Sequence, residues 1–166
     1  MVEIFNDFIV YVPVALFFAA IIDIFFLTGL LFYGGTTLGA IGLLYSSGAI
    51  GFGEIVIATY AGTLLGNSVN FYSGRLFGET PVVARKLSNP KVQKAQQFLR
   101  TRGLFLYILI GRFTAVTRPL YALLLGSLQI KYRRFIIYEA CIALFWVVLW
   151  LLIVTNSIDF IKTLIV

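Results

Sequence analysis

Residues 103–130 read GLFLYILIGRFTAVTRPLYALLLGSLQI. The stretch is apolar enough to enter a bilayer, yet Arg112, Arg118 and Pro119 stand at its centre. A charged side chain at membrane depth is costly and by default marks a functional site. The nine residues from Gly103 to Gly111 make about 13 Å of helix, and the twelve from Pro119 to Ile130 about 18 Å. Each leg is about half of a hydrocarbon core about 30 Å thick. The segment therefore reads as two half-helices meeting at a polar break, with Gly111 and Pro119 at the tip.

The flanks support this. Residues 79–102 together with Arg75 hold seven Lys/Arg against one Glu, and Lys131, Arg133 and Arg134 follow the stretch. Basic loops stay cytoplasmic. A simple span at 103–130 would put one basic cluster outside, whereas a hairpin that enters and turns back keeps both inside. Within 79–102, Val83, Leu87, Val92, Phe98 and Leu99 suit one side of an interfacial helix.

The rest of the composition places this segment in a membrane protein. Of 166 residues, 60% are hydrophobic and 12% charged, and the mean hydropathy is +0.97. A soluble domain of this length cannot hide so much apolar side chain. The net charge of +6 then sets topology rather than recruiting nucleic acid. Cys141 stands alone in an apolar run, and there is no histidine. That excludes His-based metal sites and Ser-His-Asp chemistry, and the expectation is no metal, no cofactor and no enzyme activity. Glu3 and Asp7 stand where a cleavable leader would be basic.

Three apolar runs, at about 8–31, 54–78 and 133–155, read as full spans, the first with Pro13 in its opening turns and Asp23 inside it. Residues 28–53 interrupt the pattern with Gly34, Gly35, Thr36 and Thr37. This reads either as a plain span with small packing residues or as a second hairpin with its tip at Gly34 and Gly35. Gly62/Gly66 and Gly74/Gly78 form two G-x-x-x-G pairs, which permit a homodimer without requiring one.

The expectation is an all-α polytopic membrane protein, one integral domain over 1–166. It has about three full transmembrane helices and two opposed re-entrant hairpins (about 28–53 and 103–130) in an inverted-repeat-like arrangement. The N-terminus and the 79–102 loop are cytoplasmic, in the cell membrane. Opposed broken helices meeting at mid-membrane are how many transporters build a binding site.

Arginine's planar fork suits phosphate and carboxylate. Arg112 and Arg118, with Thr114, Thr117 and Asn67 nearby, form the candidate substrate site. Asp23, Glu54 and Glu139 are the candidate counter-ions or proton-coupling groups. The alternative is that these carboxylates simply pin the arginines and hold the fold together.

The same residues carry a family resemblance. Gly111-Arg112-Phe113, Arg118 and Leu125-Gly126 resemble the G-R-F-x-P-x-x-R signature, followed by a small residue and glycine, of the DedA (SNARE-associated, VTT-domain) family. Gly62, Gly66, Asn67, Tyr72, Gly74, Arg75 and Gly78 are similar to its upstream run, while Phe135 and Trp146 fall where the family places aromatics. The match covers about 28–155. Ala115 replaces the signature proline, Asn67 stands at a common aspartate, and 34–37 lack the hairpin glutamate. Proton coupling would then fall to Asp23, Glu54 or Glu139.

The resemblance implies movement of lipids or lipid-linked phosphates, such as polyprenyl phosphate, across a bilayer, with membrane lipids as partners. A proton- or ion-coupled small-solute transporter and a non-transporting assembly factor are the rivals. A lipid phosphatase, suggested by Arg118-Pro119, lacks its nucleophilic histidine.

Overall fold

The computed structural model describes residues 2–25, 28, 35–48, 50–78, 80, 90–114, 118 and 120–165. Most of these are helical, and none lies in a strand. The elements are α1 (Val2–Ile24), α2 (Gly35–Ser46), α3 (Phe52–Phe77), α4 (Pro90–Phe113), α5 (Tyr121–Ser127) and α6 (Tyr132–Ile165).

Helix α3 is the axis. Its N-terminus is closed by Glu54, whose Oε2 accepts the Gly51 amide at 3.1 Å, so one orphan donor of the first turn is satisfied. Its glycines bring two other helices to backbone contact. A methyl at Gly62 would strike the Phe17 carbonyl and come within 2.9 Å of Ala20 Cβ, and Gly66 lies against Ile21 and Ile24, so this pair seats α1. Gly74 lies on the Leu123 carbonyl, and Gly126 of α5 on the Phe71 carbonyl, so the second pair seats α5. Both G-x-x-x-G faces are thus consumed inside the protomer, and a second copy would have to dock elsewhere.

Two apolar clusters result. One joins Phe71, Tyr107, Ile108, Tyr121, Leu125, Phe135 and Ile142, with Phe71 and Phe135 stacked at 4.7 Å between ring centroids. The other joins Leu16, Ile41, Ile50, Ile55, Ala58 and Leu151.

Within 103–130, the end of α4 and the start of α5 lie against each other. Gly103 takes φ +85°, which only glycine adopts without strain, and bends α4 into an amphipathic stretch and an apolar leg. That leg runs to Phe113, and α5 returns beside it with Gly111 against the ring of Tyr121. Gly111 is helical and lies on the inner wall of the hairpin. It therefore lies inside α4, before the helix ends at Phe113, and not at a tip. Pro119 lies outside the described residues.

The first half departs from the sequence reading. The run at 8–31 is not one helix: α1 ends at Ile24, with Pro13 in its interior. The Ile24 carbonyl, an orphan acceptor of the last turn, receives Asn70 Nδ2 at 2.8 Å. A distant side chain thus marks the end of α1, which the local apolar sequence does not. Gly35, Thr36 and Thr37 belong to α2, so the connection between α1 and α2 falls before Gly35 rather than at it. Gly34 lies outside the described residues. Asp23 stands in the last turn of α1. Of the three expected spans, one helix among the described residues, Tyr132–Ser157, is long and apolar enough to cross a membrane; Tyr11–Ile24 is a shorter apolar helix.

Candidate functional site

Two ion pairs meet at one tryptophan. Glu139, seven residues or about 10 Å into α6, is fully buried. A buried carboxylate must be paired and hydrogen-bonded. Its Oε1 accepts Arg112 Nη1 and, at 2.7 Å, Asn67 Nδ2. Its Oε2 accepts the Tyr121 hydroxyl at 2.8 Å. The same hydroxyl accepts Asn67 Nδ2 at 2.8 Å and Arg112 Nη1 at 3.1 Å. Four helices, α3 through α6, each contribute one side chain to this knot.

The second pair is looser. Arg118 Nη2 lies 3.1 Å from Asp23 Oδ2, and the arginine side chain keeps 15% of its exposure where Arg112 keeps 1%. Arg118 is placed by a backbone turn in which its amide donates to the Thr114 carbonyl at 3.0 Å. Both guanidiniums face the Trp146 ring, Arg118 at 4.4 Å and Arg112 at 5.6 Å from the centroid. The negative face of the indole favours both cations.

The donor count is the informative feature. An arginine has five N–H donors. Among the described residues, buried Arg112 Nε and Nη2 and Arg118 Nε have no hydrogen-bond partner. Unmet buried donors are costly, and phosphate or carboxylate oxygens would satisfy them.

The remaining candidates fall elsewhere. Glu54 is exposed at the start of α3, thirteen residues or about 20 Å along the helix from Asn67, and acts as a cap. Thr114 is exposed, and its hydroxyl donates to the Ile110 carbonyl at 2.9 Å. Thr117 lies outside the described residues. No group of three or more metal-ligating His, Cys, Asp or Glu side chains occurs among the described residues.

Sequence reasoning missed Tyr121 as a polar member and gave Trp146 no role beyond its place in the resemblance. A tyrosine two residues after Pro119 in an apolar run reads as core. Only the partners brought by α3 and α6 make its hydroxyl central.

Comparison with known proteins agrees with the resemblance. The VTT domain matches residues 8–156. The inner membrane proteins YabI and YqjA of Escherichia coli K12 are each 29% identical, over 82% and 81% of this chain. The protein DedA of the same organism is 30% identical over 58% of the chain. The chain spans 54% of YabI, 64% of YqjA and 45% of DedA. No solved structure matches it. With the family pattern extending over nearly its whole length and the signature arginines at the centre of the fold, the chain belongs to the VTT-domain (DedA) family of membrane proteins.

Proposed function

We propose that this protein moves anionic lipids or lipid-linked phosphates across a bilayer, with the head group held at Arg118 and Arg112. The carrying observation is the set of unmet guanidinium donors beside Trp146, in a site neutral at rest because two cations face two carboxylates. In the bilayer, α1 with α2 and α4 with α5 are opposed re-entrant hairpins, and α3 and α6 are spans. Asp23 and Arg118 then pair where the two breaks meet, the geometry of a transporter's central site.

The two arginines divide the work. Arg112 is built into the knot with Glu139, Tyr121 and Asn67 and offers its unmet Nε and Nη2 donors. Arg118, held by one carboxylate and partly open, exchanges Asp23 for the phosphate of the lipid. The apolar helix faces leave the tails in hydrocarbon while the head group crosses.

The test is transbilayer exchange of a fluorescent anionic lipid in vesicles containing the purified protein. Wild type accelerates exchange and Arg118→Gln abolishes the acceleration. Full activity in a folded Arg112→Gln/Arg118→Gln variant overturns the reading. Equal acceleration for a zwitterionic lipid would reassign the protein to unselective scrambling.

A further inference from the structure

A second basic feature lies away from Trp146. Where the Gly103 elbow meets the exit of α5 and the start of α6, a cavity of about 820 Å³ opens. Leu99 and Leu104 of α4 line it together with Gln129, Lys131, Arg134 and Tyr138. An adjoining hollow of about 530 Å³ shares Lys131 and Arg134 and adds Arg75 and Arg133. Four exposed cations thus line two hollows that share Lys131 and Arg134, and among the described residues no carboxylate lines either. Among the described residues none of the four forms an ion pair.

The backbone at its rim is strained. Helix α5 ends with the Ile130 amide on the Leu125 carbonyl at 3.3 Å and the Gln129 amide on the Gly126 carbonyl at 3.0 Å. This closing motif normally carries glycine at its left-handed position. Here that position is Gln129, at φ +56°, the only non-glycine residue with positive φ among the described residues. A side chain kept where glycine would be easier is a pointer to use of that side chain.

We propose that this cavity binds an anionic glycerophospholipid of the leaflet facing the basic segments. Its phosphate lies between Lys131 and Arg134, with Gln129 as a neutral donor and an acyl chain along Leu99 and Leu104. Charge selects the ligand, because four cations with no acidic partner among the described residues attract an anionic head group and gain nothing specific from a zwitterionic one. The apolar wall selects a lipid over a free anion. Arg134 precedes Trp146 by twelve residues, about 18 Å along α6, so this site is separate from the central arginines and does not depend on their role. A lipid held here would fix the amphipathic part of α4 against the exit of the hairpin.

The test is native mass spectrometry of the purified full chain in detergent, with phosphatidylglycerol, phosphatidylcholine or inorganic phosphate added. Wild type retains phosphatidylglycerol in preference to phosphatidylcholine. The comparison is made in an Arg118→Gln background, which removes lipid held at the central arginines, and there Lys131→Gln/Arg134→Gln weakens the remaining retention about tenfold or more. Equal retention by the double variant, or equal retention of the two lipids, overturns the proposal. Displacement of the lipid by inorganic phosphate at equal concentration overturns it in favour of a small-anion site. Wild type alone gives a second readout: retention falls as salt is raised, and salt-independent retention also overturns the proposal.

Discussion

Arg118 Nη2 and Asp23 Oδ2 lie 3.1 Å apart, although 95 residues separate them in the chain. The pair links the end of α1 to the turn before α5. Asp23 stands in the last turn of α1 and Arg118 between α4 and α5, so one ion pair ties the end of the first helix to the approach to α5.

Asp23→Asn leaves the Arg118 charge largely buried without its carboxylate. Breaking such a pair on one side costs about 3 kcal/mol or more. The double variant Asp23→Asn/Arg118→Gln removes the stranded charge and should recover part of the loss. Thermal unfolding in detergent checks this as a double-mutant cycle, and strictly additive losses would show that the pair is not coupled.

Tyr121→Phe deletes one hydroxyl that serves three partners, Glu139, Arg112 and Asn67. The ring still packs on Gly111, so the expected loss is polar, about 1–3 kcal/mol. Glu139→Gln should cost more, because it strands the fully buried Arg112 charge. Melting temperatures of the two variants, compared side by side, decide the order.

Trp146→Leu removes the ring that both guanidiniums share. With about 0.5–2 kcal/mol of cation–π attraction lost per arginine, anionic-lipid exchange should fall about tenfold while the ion pairs persist. Trp146→Phe should keep an intermediate rate. Undiminished exchange in Trp146→Leu would remove the ring from the mechanism.

The hairpin reading of 103–130 predicts sidedness. With Cys141 replaced by serine, single cysteines at Ser88 and Lys131 should react with an impermeant reagent from the same face of the membrane. Labelling from opposite faces would make 103–130 a full crossing.

Part of this was legible in the chain. Arg112 and Arg118 stand out because charge is rare in an apolar run. Asp23 and Glu139 are conspicuous for the same reason. The end of α1 was not legible, since the residues after Asp23 are as apolar as those before it and the carbonyl of Ile24 is met by Asn70, 46 positions away. Glu54 looked equivalent to the other two acids because spacing cannot tell a helix cap from a buried counter-ion. The glycine pairs announced close packing, but only the arrangement of α1 and α5 around α3 shows which backbone approaches each.

Those contacts have a consequence for genetics. Gly74 and Gly126 meet carbonyl groups of Leu123 and Phe71, which every amino acid carries. A defect from Gly74→Ala cannot be relieved by trimming a neighbouring side chain, so a suppressor screen should return reversion to glycine and little else. Gly39, with open space around its missing Cβ, should accept alanine in the same screen without a phenotype.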